Sequence, residues 1–218
     1  GGSTWKQLTD GLPGVLQANL AIAPSNTKVI YAMVSGAPPA DAAAKGATEV
    51  LGLYKSIDSG EHWYLAVHDP ARPETAKASP DGRPLLRIGG GDLATLAVDP
   101  TNENVVYSAS IVFWRTEDGG VTWTAVRGSP GGDDYQKVWI NPNHANILLV
   151  VADQGAVVSS NRGASWSNWY TQPTAAMYHV STDNSFPYMV CGGQQDSGSA
   201  CVASQSMDGE ITFHDWHP

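Results

Sequence analysis

The sequence predicts an all-β fold of repeated four-stranded antiparallel sheets. Three observations carry that expectation. A turn phrase of the form Ser/Thr-x-Asp/Asn-x-Gly-x-x-Trp is written three times, as SIDSGEHW (56–63), TEDGGVTW (116–123) and SSNRGASW (159–166), and the chain opens on GGSTW, its back half. A second phrase stands before each full turn phrase, as LAIAPSNTKVIYAMV, LAVDPTNENVVYSAS and VWINPNHANILLVVA, and a fourth copy, HVSTDNSFPYMVCGG, follows the last. The composition, 23 Gly and 14 Pro with only 15% charged residues in 218, suits many short strands joined by turns rather than helices.

The elements follow in order from these phrases. Each copy of the second phrase is an apolar alternating run, a Pro/Asn/Asp turn and a β-branched run, which is a hairpin by its turn chemistry. A third short strand comes next (GLYKS, VFWRT, AVVSS), then the turn phrase, then a fourth strand that starts at the tryptophan. The motif tryptophans Trp5, Trp63, Trp123 and Trp166 recur at 43 to 60 residues. Four-stranded sheets repeating at that period are the blades of a β-propeller. Residues 1–10 are expected to be the last strand of a preceding blade. Residues 15–68 form a blade with an inserted loop at 35–50, residues 69–91 an inter-blade loop, and 92–127, 134–170 and 176–218 three further blades. About four blades plus a stray strand read as part of a larger propeller, with a small ring closed by the first strand as the alternative.

The turn phrase has a structural explanation. Asp58, Asp118 and Asn161 can accept backbone N–H groups across a tight turn. Gly60, Gly120 and Gly163 permit a left-handed backbone there. Trp63, Trp123 and Trp166 pack under the hairpin. An amide at position 161 serves a turn but not acid–base chemistry, so these residues are expected to be structural.

On these residues the chain resembles the Asp-box (BNR) repeats of sialidases, sortilin-type receptors and xyloglucanase-like two-propeller glycoside hydrolases. DPTNENVVY and VSTDNSFPYMVCGGQQDSGS resemble a bacterial branch of secreted sortilin-like or glycosyl-hydrolase-like BNR proteins, over nearly the whole chain. The resemblance implies a secreted protein, extracellular or periplasmic, that handles a polysaccharide or oligosaccharide. The sortilin-like alternative implies a non-catalytic scaffold for a peptide or protein. The arginine triad of sialidases is not matched, because Arg72, Arg83 and Arg87 share one loop.

Several functions are argued against. A net charge of −9 disfavours a nucleic-acid backbone as partner. No apolar run is long enough to span a membrane. The six histidines show no metal-ligand spacing, and neither a phosphate loop nor Gly-x-Ser-x-Gly occurs. No metal and no cofactor is expected.

The candidate site follows from propeller geometry. Insertions 35–50 and 69–91 both emerge on the face away from the turn phrases. Asp92 and Asp134 stand eight residues before the hairpin prolines Pro100 and Pro142, each after a glycine run, where an innermost strand begins; Leu16 and Ala175 take that place in the other two blades. Asp92 and Asp134 are the candidate catalytic pair, since glycoside hydrolysis needs two carboxyl groups about 5–5.5 Å or about 6.5–9.5 Å apart. Asp133, Asp153, Gln154, Gln194, Gln195 and Asp196 are candidate ligand-binding groups, with Trp114, Tyr135 and Trp169 as possible aromatic surface. The bland alternative is that acids after glycines are turn residues. Cys191 and Cys201 lie symmetrically about Asp196 in CGGQQDSGSAC, which suits either a cross-strand disulfide or two free thiols.

Overall fold

The structure, a computed structural model, describes residues 2–44, 46, 49–88, 92–129, 132–168, 177–195 and 198–217. It divides into two compact units, Gly1–Trp169 and Tyr170–Pro218. In the first unit, β1 (Val15–Ile22), β2 (Ile30–Gly36), β3 (Val50–Ser56) and β4 (Tyr64–Leu65) form one antiparallel sheet in chain order. Strands β5 (Thr95–Asp99), β6 (Asn102–Ala109), β7 (Phe113–Thr116) and β8 (Thr124–Arg127) form a second. A third holds β9 (Lys137–Ile140), β10 (Leu148–Ala152) and β11 (Gly155–Ser159). Past Trp166 the edge of this sheet is joined by Ser167, whose N–H donates to the Val158 carbonyl at 2.8 Å and whose hydroxyl accepts from the Val158 N–H at 2.9 Å.

Packing between these sheets explains the sequence pattern of β6. Val106 packs with Tyr31, Met33, Leu53 and Trp114 in one core, while Val105, Tyr107 and Ala109 pack with Phe113, Tyr135, Leu148 and Val150 in another. Alternate residues of a strand face opposite ways. A strand buried on both faces therefore reads as the near-continuous apolar run VVYSA. Strand β1 lies beside β5, and β5 beside β9, so the first strand of each sheet is its innermost.

The three turn phrases repeat one hydrogen-bond pattern. Asp58 Oδ1 accepts from the Ser56 hydroxyl (2.8 Å) and the His62 N–H (3.0 Å), Asp118 Oδ1 from the Thr116 hydroxyl (2.8 Å) and Thr122 N–H (2.9 Å), and Asn161 Oδ1 from the Ser159 hydroxyl (3.0 Å) and Ser165 N–H (2.8 Å). Each phrase also bonds back to the β1–β2, β5–β6 or β9–β10 turn of its own sheet: Ser59 N–H to Lys28, Gly119 N–H to Asn104 and Arg162 N–H to Asn146, all at 2.9 Å. The turn phrases and the hairpin prolines therefore share one end of the sheets. The starts of β1, β5 and β9 lie at the other.

Residues 2–14 carry no strand. This segment rests on the first sheet, where Trp63 N–H donates to the Asp10 carbonyl at 2.9 Å and Leu12 packs against the cluster of Ala32, Val34 and Tyr54. Trp5 is 90% exposed.

The second unit is one antiparallel sheet of β12 (Met177–Thr182), β13 (Met189–Gln194), β14 (Gly198–Ala203) and β15 (Trp216–His217). Cys191 and Cys201 face each other across β13 and β14 and form a disulfide. Among the described residues no helix is long and apolar enough to cross a membrane.

Candidate functional site

The starts of β1, β5 and β9 enclose an open cavity of about 300 Å³. Its polar lining is Gln17 and Asn19 from β1, Asp92 and Thr95 at β5, and Gln136 and Lys137 at β9. The apolar share is aliphatic, including Leu20, Ile88 and Leu96. A hollow of this size and polarity can hold a small polar ligand or one segment of a long one.

Two of the lining amides are held from behind. Asn19 Nδ2 donates to the carbonyls of Leu93 (3.0 Å) and Ala94 (3.1 Å). Arg87 Nη1 donates to Gln17 Oε1 at 3.0 Å. The same guanidinium donates from Nε and Nη2 to the two oxygens of Glu49, at 2.8 and 2.5 Å. The Ser35 hydroxyl adds a bond to Glu49 Oε2 at 2.7 Å. Hydrogen bonds from Arg87, and then from Ser35, hold the Glu49 carboxyl down at about 2. The Arg87 guanidinium is raised, chiefly by its bonds to Glu49 and further by the charge of Asp92. Glu49 closes the first insertion and Arg87 lies in the second, so this ion pair ties the two loops together behind the cavity.

The expected site residues separate into groups. Asp92 is exposed and lines the cavity. Asp134 sits in a left-handed turn just before β9, with a φ of 44°, and is not among the lining residues. Asp133 and Gln154 bond each other, through Gln154 Nε2 to Asp133 Oδ1 at 2.5 Å and Asp133 N–H to Gln154 Oε1 at 3.3 Å. Asp153 is exposed in the β10–β11 turn. Gln194 ends β13 in the second unit and Gln195 lies in the turn after it, and Asp196 and Trp169 lie outside the described residues.

Two expected aromatic contacts are corrected. Trp114 is 8% exposed within the core between the first two sheets, with the Arg83 guanidinium over its ring. Tyr135 is fully buried beside Phe113, and burial pushes its phenol up to about 12. Burial of such side chains in the inter-sheet cores is worth about 1.5–3 kcal/mol each. Neither presents a face for stacking.

Gln17, Asn19, Thr95, Gln136 and Lys137 were not singled out by sequence reasoning. A signal existed. They stand five to seven residues before Pro24, Pro100 or Pro142, and the same count from the proline located Asp92. Reading every position of those columns, rather than the acids alone, finds them. Among the described residues no three His, Cys, Asp or Glu side chains gather where they could hold a metal ion.

No family model and no curated protein sequence matches the chain. Solved structures do. A GH74 xyloglucanase from Xanthomonas campestris is 19% identical with a TM-score of 0.53, over 98% of this chain and 32% of that one. A GH74 enzyme from Niastella koreensis is 17% identical with a TM-score of 0.47, over 91% and 29%. YCF48 from Cyanidioschyzon merolae is 16% identical with a TM-score of 0.46, over 99% and 59%. The chain thus spans about a third of the length of the GH74 enzymes it matches. At 19% identity the xyloglucanase likeness is one of fold, and with the repeated antiparallel sheets it makes this chain an all-β protein of the β-propeller class.

Proposed function

We propose that this chain is a carbohydrate-handling β-propeller segment and that the cavity at the starts of β1, β5 and β9 binds a polysaccharide chain. The observation that carries the reading is the lining: one exposed carboxylate, one ammonium, a hydroxyl and three amides around about 300 Å³. Sugar hydroxyls both donate and accept, and amides and carboxylates supply both complements. The xyloglucanase neighbour makes xyloglucan oligosaccharide the first probe. Secretion belongs to the same proposal, supported by the disulfide between Cys191 and Cys201, a bond that persists in oxidising compartments.

Hydrolysis needs a second carboxyl group. Among the described residues Asp92 is the one acid lining the cavity, and Asp134 is the further carboxylate to test. The test is calorimetric titration of the chain with xyloglucan, cello- and manno-oligosaccharides, before and after Asp92→Asn. Saturable binding that weakens in Asp92→Asn supports the proposal. Absence of saturable binding to all three rejects it. Turnover assays of the longest available chain, with Asp92→Asn and Asp134→Asn separately, then decide between a binding and a hydrolytic role.

A further inference from the structure

Two side-chain amides on β1 have their polarity forced by what stands behind them. Asn19 directs one terminal atom at the carbonyl oxygens of Leu93 and Ala94. Carbonyl oxygens only accept, so that atom is Nδ2, and Oδ1 is the end left over. Gln17 directs one terminal atom at the Arg87 guanidinium. A guanidinium only donates, so that atom is Oε1, and Nε2 is left over. Both residues line the cavity. Asn19 and Gln17 alternate correctly along β1 to share one face of the strand.

An unrestrained amide can turn over to suit whichever ligand group arrives. These two cannot. A flip of Gln17 would aim an NH2 group at a guanidinium that itself stays locked on Glu49. A flip of Asn19 would set its oxygen against two carbonyl oxygens.

We infer that Gln17 and Asn19 are a fixed donor and a fixed acceptor that determine the specificity of the cavity. The site takes an uncharged polyhydroxylated segment, in which one hydroxyl accepts from Gln17 Nε2 and another donates to Asn19 Oδ1. A segment that carries an ammonium group at the Gln17 position is refused, because donor would meet donor. A fixed donor disfavours the ligand that leaves it without an acceptor. The inference rests on the carbohydrate reading of this cavity.

The experiment uses the chain with Gln17→Ala and Gln17→Glu. Glu is nearly isosteric with Gln. It can accept from Arg87 with one oxygen and present the other to the cavity, which reverses polarity without removing the side chain. Each protein is titrated with cello-oligosaccharide and with the matching glucosamine oligomer at a pH where its amines are protonated. Side-chain amide NMR signals are followed, and melting temperatures confirm folding. The expected result for Gln17→Ala is cello-oligosaccharide binding about threefold to tenfold weaker, the worth of one hydrogen bond. Gln17→Glu should lose at least as much and reverse the preference towards the amino sugar. In the wild type, the Gln17 Nε2 signals should shift on binding while the carbonyl-tied Asn19 Nδ2 signals hold. Wild-type binding with unchanged affinity and preference in both variants would overturn the inference and leave the carbohydrate reading standing. A wild type that binds neither oligosaccharide would overturn both.

Discussion

Arg87 grips both carboxylate oxygens of Glu49, at 2.8 and 2.5 Å, across 38 residues of sequence. Each partner lies in a different insertion, so the pair decides whether two Pro-, Ala- and Gly-rich loops act as one wall. Glu49→Gln should weaken folding by about 0.5–1 kcal/mol, the range of a partly exposed ion pair with good geometry. Acid should show the same link. The Glu49 carboxyl falls from its ordinary 4.5 to about 2 in the folded chain. Its stabilisation is therefore fully present above pH 4.5 and is lost as the pH falls towards 2. Denaturant unfolding of wild type and Glu49→Gln should converge over that window; a constant gap would show that the pair contributes nothing by charge.

Asp118 and Asn161 test whether the turn phrases need charge. Asp118 accepts from Thr116, Val121 and Thr122, and Arg72 reaches it at 3.2 Å. Asn161 performs the Oδ1 part of this work with a neutral amide, and its Nδ2 donates to the Ser165 hydroxyl at 2.8 Å where Thr122 instead donates to Asp118. A hydroxyl can reverse its role, so Asn161→Asp should change stability by less than about 0.5 kcal/mol. Asp118→Ala leaves the N–H groups of Val121 and Thr122 without their acceptor and should cost about 1–3 kcal/mol. Thermal unfolding of the two variants reads the contrast directly.

The repeat made the fold legible, because hairpin chemistry and strand alternation are local and were written several times over. The column counted from the hairpin prolines led to a cavity-lining position at Asp92 but not at Asp134, so the column marks the end of the sheet and not the lining itself. What was not legible is contact across sequence distance. Trp114 and Tyr135 sit in phrases that look like exposed strand starts, yet the neighbouring sheets bury them. The tie from Arg87 to Glu49 and Gln17 joins a loop, a second loop and a strand, and no local pattern announces it.

Gly120 and Gly60 hold the same place in two turn phrases and should differ in cost. Both are left-handed, with φ of 99° and 90°. Alanine at either adds about 1–2 kcal/mol of backbone strain. A Cβ on Gly60 meets Leu8 Cδ1 at 3.4 Å, an ordinary contact, whereas one on Gly120 meets Ala66 Cβ at 2.8 Å and Leu53 Cδ2 at 3.0 Å. Overpacking should add about 1–3 kcal/mol at Gly120 alone. Equal losses of melting temperature in Gly60→Ala and Gly120→Ala would mean that the core beside Ala66 yields more than its packing implies.

Tyr135 gives the alkaline counterpart of Glu49. Burial raises its phenol from 10.0 to about 12, and the Asp133 charge adds to this while Arg127 opposes it. The unfolded chain ionises from pH 10 upward while the folded phenol stays neutral, so its share of stability is intact below pH 10 and is lost as the pH climbs towards 12. One such group contributes at most about 1.4 kcal/mol per pH unit. Tyr64, also pushed up to about 12 by burial, acts in the same direction in both proteins and cancels from the comparison. Tyr135→Phe keeps the ring against Phe113 and should lose about 1 kcal/mol at neutral pH through its hydroxyl. Between pH 10 and 12 its stability should then fall less steeply than that of the wild type. Parallel curves would place the hydroxyl in contact with solvent and return Tyr135 to the list of groups a ligand could reach.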